Sequence, residues 1–285
     1  MSAQRLWIVC VLVLSLAACQ SEQTESAPNA PTATAASRDS ASTGVSHAPA
    51  AASTSGEHAH TKRYKIDIEY PALSADEAPL GSMLRKIAAT AKQEFMQSLP
   101  DPKQFPEFAD RQMQLLIDFK IAARARDFIS VRETGMQDTG GAHPIPIDSA
   151  IVYDVQAHRT VTLDDLFDDA DAARKALSDY ARTELTNKIM AQAPKPGEGS
   201  PEAIREWKFN AQKMIDDGTQ PTEQNFANFV VRADAHPTYP SPVLTLIFPP
   251  YQVAAYVYGT QMVDVPTATF AQYLKPQYRD AFITP

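Results

Sequence analysis

Few residues in this chain combine a reactive side chain with a constrained setting, and the clearest is His143. It follows Gly140, Gly141 and Ala142 and precedes Pro144. Two glycines admit backbone conformations closed to other residues, and the proline holds His143 extended. The motif therefore predicts a fixed loop presenting one imidazole between two strands. That imidazole could act as an acid or base, touch a ligand, or hydrogen-bond its own loop. A second candidate is Pro249-Pro250-Tyr251, followed by Tyr256, Tyr258 and Gly259. Each tyrosine has an apolar face and a polar tip, which suits either a sugar-stacking or protein-binding surface or the edge of a core.

Other clusters are weaker. Asp164, Asp165, Asp168, Asp169 and Asp171 crowd eight positions but lack the spacing of an EF-hand loop. Docking of a basic protein is one reading; acids in a helix's first turn, favoured by the macrodipole, are the other. His58-x-His60 beside Glu57 could hold a transition metal loosely or be solvated polar filler. No metal site and no cofactor is expected. The sequence has no G-x-S-x-G elbow, Walker A loop, G-x-G-x-x-G turn or H-E-x-x-H helix, so catalysis has no motif beyond His143.

Compartment is read from Leu16-Ala17-Ala18-Cys19. Arg5 and the apolar run Leu6 to Leu16 form a signal peptide that is too short for the ~20 residues of a membrane span. Residues 1–18 are expected to be removed and Cys19 to carry a lipid, anchoring the chain to a membrane. The chain has 2 cysteines, and Cys10 lies in the leader, so the mature domain is expected to hold without disulfides. Residues 19–61 are rich in Ala, Ser, Thr and Pro and read as a disordered tether. The formal net charge of −8 argues against nucleic acid as a partner.

The elements that must position these residues lie in 62–285. Tyr64 to Tyr70 alternates as a half-buried strand, and Leu80 through Phe95 carries a helical face after Pro79. Met113 to Ile121, Phe128 to Arg132 and Ile147 to Val155 read as strands, with a turn at Ala157-His158 leading into Val161. A helix capped by Asp168 or Asp169 runs through Ile189, and a second starts at Ser200-Pro201. Strands return at Phe226–Arg232, Val243–Phe248, Val253–Tyr258 and Met262–Val265. The expected class is α+β: antiparallel strands around a central block of two or three helices, in one compact domain of one or two subdomains.

Thr139-Gly-Gly-Ala-His-Pro144, then Tyr153-Asp154 and Val161-Thr-Leu-Asp-Asp-Leu-Phe167, resembles the signature of the RsiV/PdaC-type extracytoplasmic domain. The stretch Leu246 to Gly259, which holds Tyr251 and Tyr256, resembles the same family's C-terminal block, and Tyr64 to Pro71 fits its N-terminal half. Ala255 stands where that family often has proline. The resemblance implies an α+β module outside the bacterial membrane, one that binds lysozyme in RsiV-like anti-sigma factors and precedes a deacetylase domain in PdaC-like proteins. The transmembrane and sigma-binding parts of the first and the deacetylase domain of the second have no counterpart here. What carries over is the binding module, with Gly140, Gly141, His143, Tyr251, Tyr256 and Gly259 on its motifs. The expectation is a lipid-anchored envelope lipoprotein, non-catalytic, that binds a lysozyme-like protein or peptidoglycan. Gln20 after Cys19 favours the periplasmic face of the outer membrane in a Gram-negative cell. The rivals are a peptidoglycan-acting enzyme using His143 and a structural lipoprotein without a ligand.

Overall fold

A computed structural model describes residues 55–232 and 243–282. The expected signal peptide, Cys19 and most of the expected tether lie outside the described residues. No helix among them is long and apolar enough to cross a membrane.

Six strands form one sheet in chain order: β1 (Ser55–His60), β2 (Tyr64–Tyr70), β3 (Met113–Ala125), β4 (Phe128–Asp138), β5 (Ile145–Asp154) and β6 (Arg159–Val161). The ordered domain thus begins earlier than residue 62. The polar composition of Ser55–His60 reads as tether, yet β1 needs little apolar content because it is an edge strand held by antiparallel pairing to β2. Only one of its faces meets protein, where Glu57 accepts from Tyr70 Oη at 2.7 Å and from Lys92 Nζ at 2.6 Å.

Neighbours are antiparallel except β2 and β3, which run parallel. Helix α1 (Ala78–Ser98) makes that crossover; a helix between two successive strands is the sequence signal for a parallel pair. A 3-10 turn, Ala75–Glu77, closed by a Ser74–Glu77 capping box leads into α1, with Pro79 in the helix's first turn and Pro100 after its end. Its buried stripe of Leu80, Leu84, Ala88 and Phe95 packs on Ile66, Ile68, Leu115, Ile117, Phe119, Ile129 and Val131 in one apolar cluster.

The opposite face of β4 to β6 meets a second layer. Helices α2 (Ala170–Met190) and α3 (Pro201–Gly218) precede the small sheet β7 (Phe229–Arg232), β8 (Val243–Phe248) and β9 (Gln261–Pro266), and α4 (Pro276–Phe282) closes it. Leu177, Leu185, Phe229, Val231, Leu244, Leu246, Phe270 and Phe282 join Phe128 and Val152 in this second cluster. Residues 128–131 of β4 are buried on both faces, and buried Ser130 Oγ accepts from Val231 N at 3.0 Å, joining the two sheets. The class is α+β as expected, with two cores inside one compact unit, Ala50–Pro285.

The acidic run is consumed locally. Asp169 caps α2 by accepting from Ala172 N at 3.0 Å, Asp165 pairs with Arg159 at 3.0 Å, and Asp164 and Asp171 both pair with Arg174. Ser200 caps α3. The expected strand Val253–Tyr258 is instead a loop and a 3-10 turn at Tyr256–Tyr258. Alternating apolar residues there imitate a strand, but the two prolines lack ladder N–H groups and Tyr251 takes a left-handed φ of 73°.

Candidate functional site

The tip of the β4–β5 hairpin, residues 139–144, carries the first half of the site. Asp138 builds it: one carboxylate oxygen accepts from Gly140 N at 2.9 Å, and Arg111 Nη2 lies 2.9 Å from both oxygens. Gly140 has φ 99°, and a Cβ there would stand 2.7 Å from the Phe108 ring. Gly141 differs: its φ is not positive and a Cβ would meet only His143 O at 3.7 Å. One glycine of the pair, not both, is required by the backbone.

The second half is the loop after β8. Val253 and Ala254 are buried, and Gln252 Nε2 donates to Gly218 O at 3.0 Å and to Asn225 O at 2.9 Å. Tyr251 N bonds Ala254 O at 3.1 Å, closing the turn in which Tyr251 is left-handed. Such a non-glycine conformation costs on the order of 1–3 kcal/mol and persists because the neighbours determine it. Gly259 ends the following 3-10 turn with φ 60° and ψ −162°. That extended, positive-φ region is essentially reserved for glycine.

These loops meet, although their residues are far apart in sequence. Tyr251 Oη lies 3.2 Å from His143 Nε2 across 108 positions, and His143 Nδ1 lies 3.0 Å from Pro144 O. A carbonyl only accepts, so Nδ1 carries the proton and Nε2 accepts from the tyrosine in the neutral ring. Ring centroids are 6.3 Å apart for His143–Tyr251, 5.4 Å for His143–Tyr256 and 5.5 Å for Tyr251–Tyr256, with interplanar angles of 24°, 24° and 29°. Three near-parallel rings at the corners of a triangle cannot form a single column. All three pairs are near-parallel and stacked with offsets, so the rings form one leaning cluster.

The cluster faces solvent. Tyr251 is 51% exposed, Tyr256 44% and the adjacent Val257 83%, and Ile145 after the hairpin tip is exposed too. Tyr258 is different: it is partly buried against the second core and meets Trp207 edge-on at 6.4 Å. The tyrosine stretch thus divides into a surface pair and a core-edge residue. His143 has no carboxylate partner among the described residues; Pro144 O and Tyr251 Oη orient its ring.

Sequence reading missed the groups that hold the two loops in register. Thr260 Oγ1 donates to Asp148 of β5, and the same carboxylate pairs with Arg132 of β4. Both side chains of that pair are largely buried. A lone Asp and Arg on two strands give no signal in a single sequence. The register Arg132↔Ala150 and Thr134↔Asp148 is what brings them together.

With this architecture in view, the class can be stated. Residues 164–268 match the family described as "Protein of unknown function (DUF3298)". That segment includes Tyr251, Tyr256 and Gly259 but not Gly140 or His143. The chain is homologous to Peptidoglycan-N-acetylmuramic acid deacetylase PdaC of Bacillus subtilis (strain 168), with 26% identity over 221 residues, 77% of this chain. It spans 41% of that protein's length. The crystal structure of a DUF3298 family protein from Pseudomonas aeruginosa PAO1 shares the fold, with TM-score 0.52, 15% identity, and coverage of 78% of this chain and 92% of that one. A DUF3298 family member from Bacteroides fragilis NCTC 9343 gives TM-score 0.49 at 18% identity, over 79% and 92% of the two chains. The resemblance to the RsiV/PdaC-type domain is thereby borne out.

Proposed function

We propose that this is an extracytoplasmic, non-catalytic binding domain whose face at His143, Tyr251 and Tyr256 holds a glycan strand of peptidoglycan. The carrying observation is the exposed, pre-formed platform of three near-parallel rings. Sugar rings present C–H faces that pack on aromatic planes, while the tyrosine hydroxyls and the imidazole offer hydrogen bonds at the rim. Gln252 and the Thr260–Asp148–Arg132 link hold both loops before any ligand arrives, which lowers the ordering cost of binding. Homology to PdaC, whose name places its chemistry on peptidoglycan, supports a role at the cell wall. A lipid on Cys19 would keep the domain close to that polymer.

One observation favours another partner. The net charge of −8 suits a cationic, lysozyme-like protein better than a neutral glycan. Pulldown separates the two. Wild type should be retained on purified sacculi, and His143→Ala and Tyr251→Ala should lose that retention while keeping the wild-type far-UV CD spectrum. Equal retention of wild type and both variants, or no retention at all, sinks the glycan reading. Retention on immobilised lysozyme alone transfers the site to the cationic protein. Release of muropeptides during incubation turns the reading to an enzyme.

A further inference from the structure

The outer face of β1 and β2, away from α1, carries a second cluster. Side chains on a strand alternate between faces, so Glu57 points to the core while Gly56, His58 and His60 point out. The register pairs His58 with Asp67 and Gly56 with Glu69. His58 Nδ1 lies 2.9 Å and His60 Nε2 2.6 Å from the same oxygen, Asp67 Oδ1. The three donor atoms fall within 4.8 Å of one another. Lys65 Nζ occupies the other oxygen, Oδ2, at 2.9 Å.

We propose that His58, His60 and Asp67 form a surface site for a divalent transition metal of the zinc, nickel or copper type. Two imidazoles and one carboxylate suit these borderline ions rather than calcium or magnesium. Metal–ligand bonds of about 2.0–2.2 Å put tetrahedral ligand atoms roughly 3.3–3.6 Å apart. The histidine–carboxylate separations of 2.9 and 2.6 Å are shorter than that, so the ligand atoms must part by about half an ångström to admit an ion, a shift within reach of exposed side chains. Each imidazole must offer a lone pair, so the proton now facing Asp67 moves to the other ring nitrogen. For His58 that nitrogen, Nε2, stands 3.6 Å from Glu69 Oε1, where metal-bound histidines commonly find an orienting carboxylate.

Gly56 makes room for this: a Cβ there would stand 2.7 Å from His58 Nε2 and 2.9 Å from Glu69 Oε2. Three protein ligands leave at least one position open to water or to a second ligand. Both imidazoles are about half exposed, at 53% and 54%, so ions reach them without a gate. Lys65 sets a limit, because its charge beside Asp67 opposes a cation.

Isothermal titration of the untagged full chain with Zn2+ should give one equivalent bound. His58→Ala, His60→Ala and Asp67→Asn should each weaken it at least tenfold, with wild-type far-UV CD, and Lys65→Ala should tighten it. The electron paramagnetic resonance of bound Cu2+ should show coupling to two nitrogens, falling to one in either histidine variant. Affinity unchanged in all three ligand variants, or no binding below millimolar Zn2+, overturns the site. Unchanged nitrogen coupling in His58→Ala and His60→Ala does the same, placing the ion on other histidines.

Discussion

Tyr251 Oη and His143 Nε2 are 3.2 Å apart, and this contact joins a hairpin tip of the large sheet to a loop leaving the small one. It holds the imidazole near-parallel to the tyrosine ring, while the Pro144 carbonyl, which can only accept, fixes the tautomer. Tyr256 then stacks on both. The surface is therefore a product of tertiary packing and not of either loop alone.

Removing only that hydroxyl tests it. Tyr251→Phe keeps the ring but frees His143 Nε2, and at an exposed site stability should change by less than about 0.5 kcal/mol. Retention on sacculi should weaken roughly fivefold, the equivalent of one ordinary hydrogen bond of about 1 kcal/mol. His143→Ala removes one ring of three and should weaken it further. Quantitative sedimentation with sacculi, alongside chemical denaturation, reads both quantities.

The two glycines of the hairpin tip should respond differently. Gly140→Ala forces an L side chain to φ 99° and drives a methyl against Phe108. It should cost about 1–3 kcal/mol. Gly141→Ala meets ordinary contact at 3.7 Å and should stay within about 0.5 kcal/mol of wild type. Urea denaturation of the pair checks this; equal destabilisation would show that the strain is not local to Gly140.

Much of the fold was legible because local rules and tertiary structure agree. The Ser200-Pro201 cap, the stripe of α1 and the alternation of β3 all read correctly from residue types. Failures came where pairing, not composition, decides. Ser55–His60 folds because β2 offers it an edge, and Val253–Tyr258 fails to be a strand because Pro249, Pro250 and left-handed Tyr251 turn the chain out of the ladder. The site shows the same division. His143, Tyr251 and Tyr256 stood out by type and setting, but their meeting, and the Thr260–Asp148–Arg132 link behind it, depend on long-range register.

That link should be stiff and costly to break. Asp148→Ala leaves the largely buried Arg132 guanidinium without its counter-ion and Thr260 without its acceptor. A buried pair broken on one side costs about 3–5 kcal/mol. The loop carrying Tyr256 also loses a tether, so amide hydrogen exchange at residues 256–260 should rise more than at α1. Uniform exchange changes across both cores would assign Asp148 a global role and no particular one in positioning the tyrosines.

Glu133 supplies the pH-dependent prediction. It lies buried on β4, its carboxyl accepts from Ser149 Oγ at 2.6 Å, and burial, the larger effect, pushes its pKa above the ordinary glutamate value despite that bond. A carboxyl with a raised pKa binds its proton more tightly in the folded state than in the unfolded one. Stability from this group is therefore present below the unfolded pKa, about 4.3, and is lost as pH climbs through the folded value. Glu133→Gln mimics the protonated form and keeps an acceptor for Ser149. At pH 7 it should raise stability, read as a higher Tm than wild type. At pH 4 the gain should vanish, because wild-type Glu133 is then protonated as well. Thermal unfolding of both proteins at pH 4 and pH 7 measures the difference, and a gain of equal size at both would show that the carboxylate's charge is not its cause.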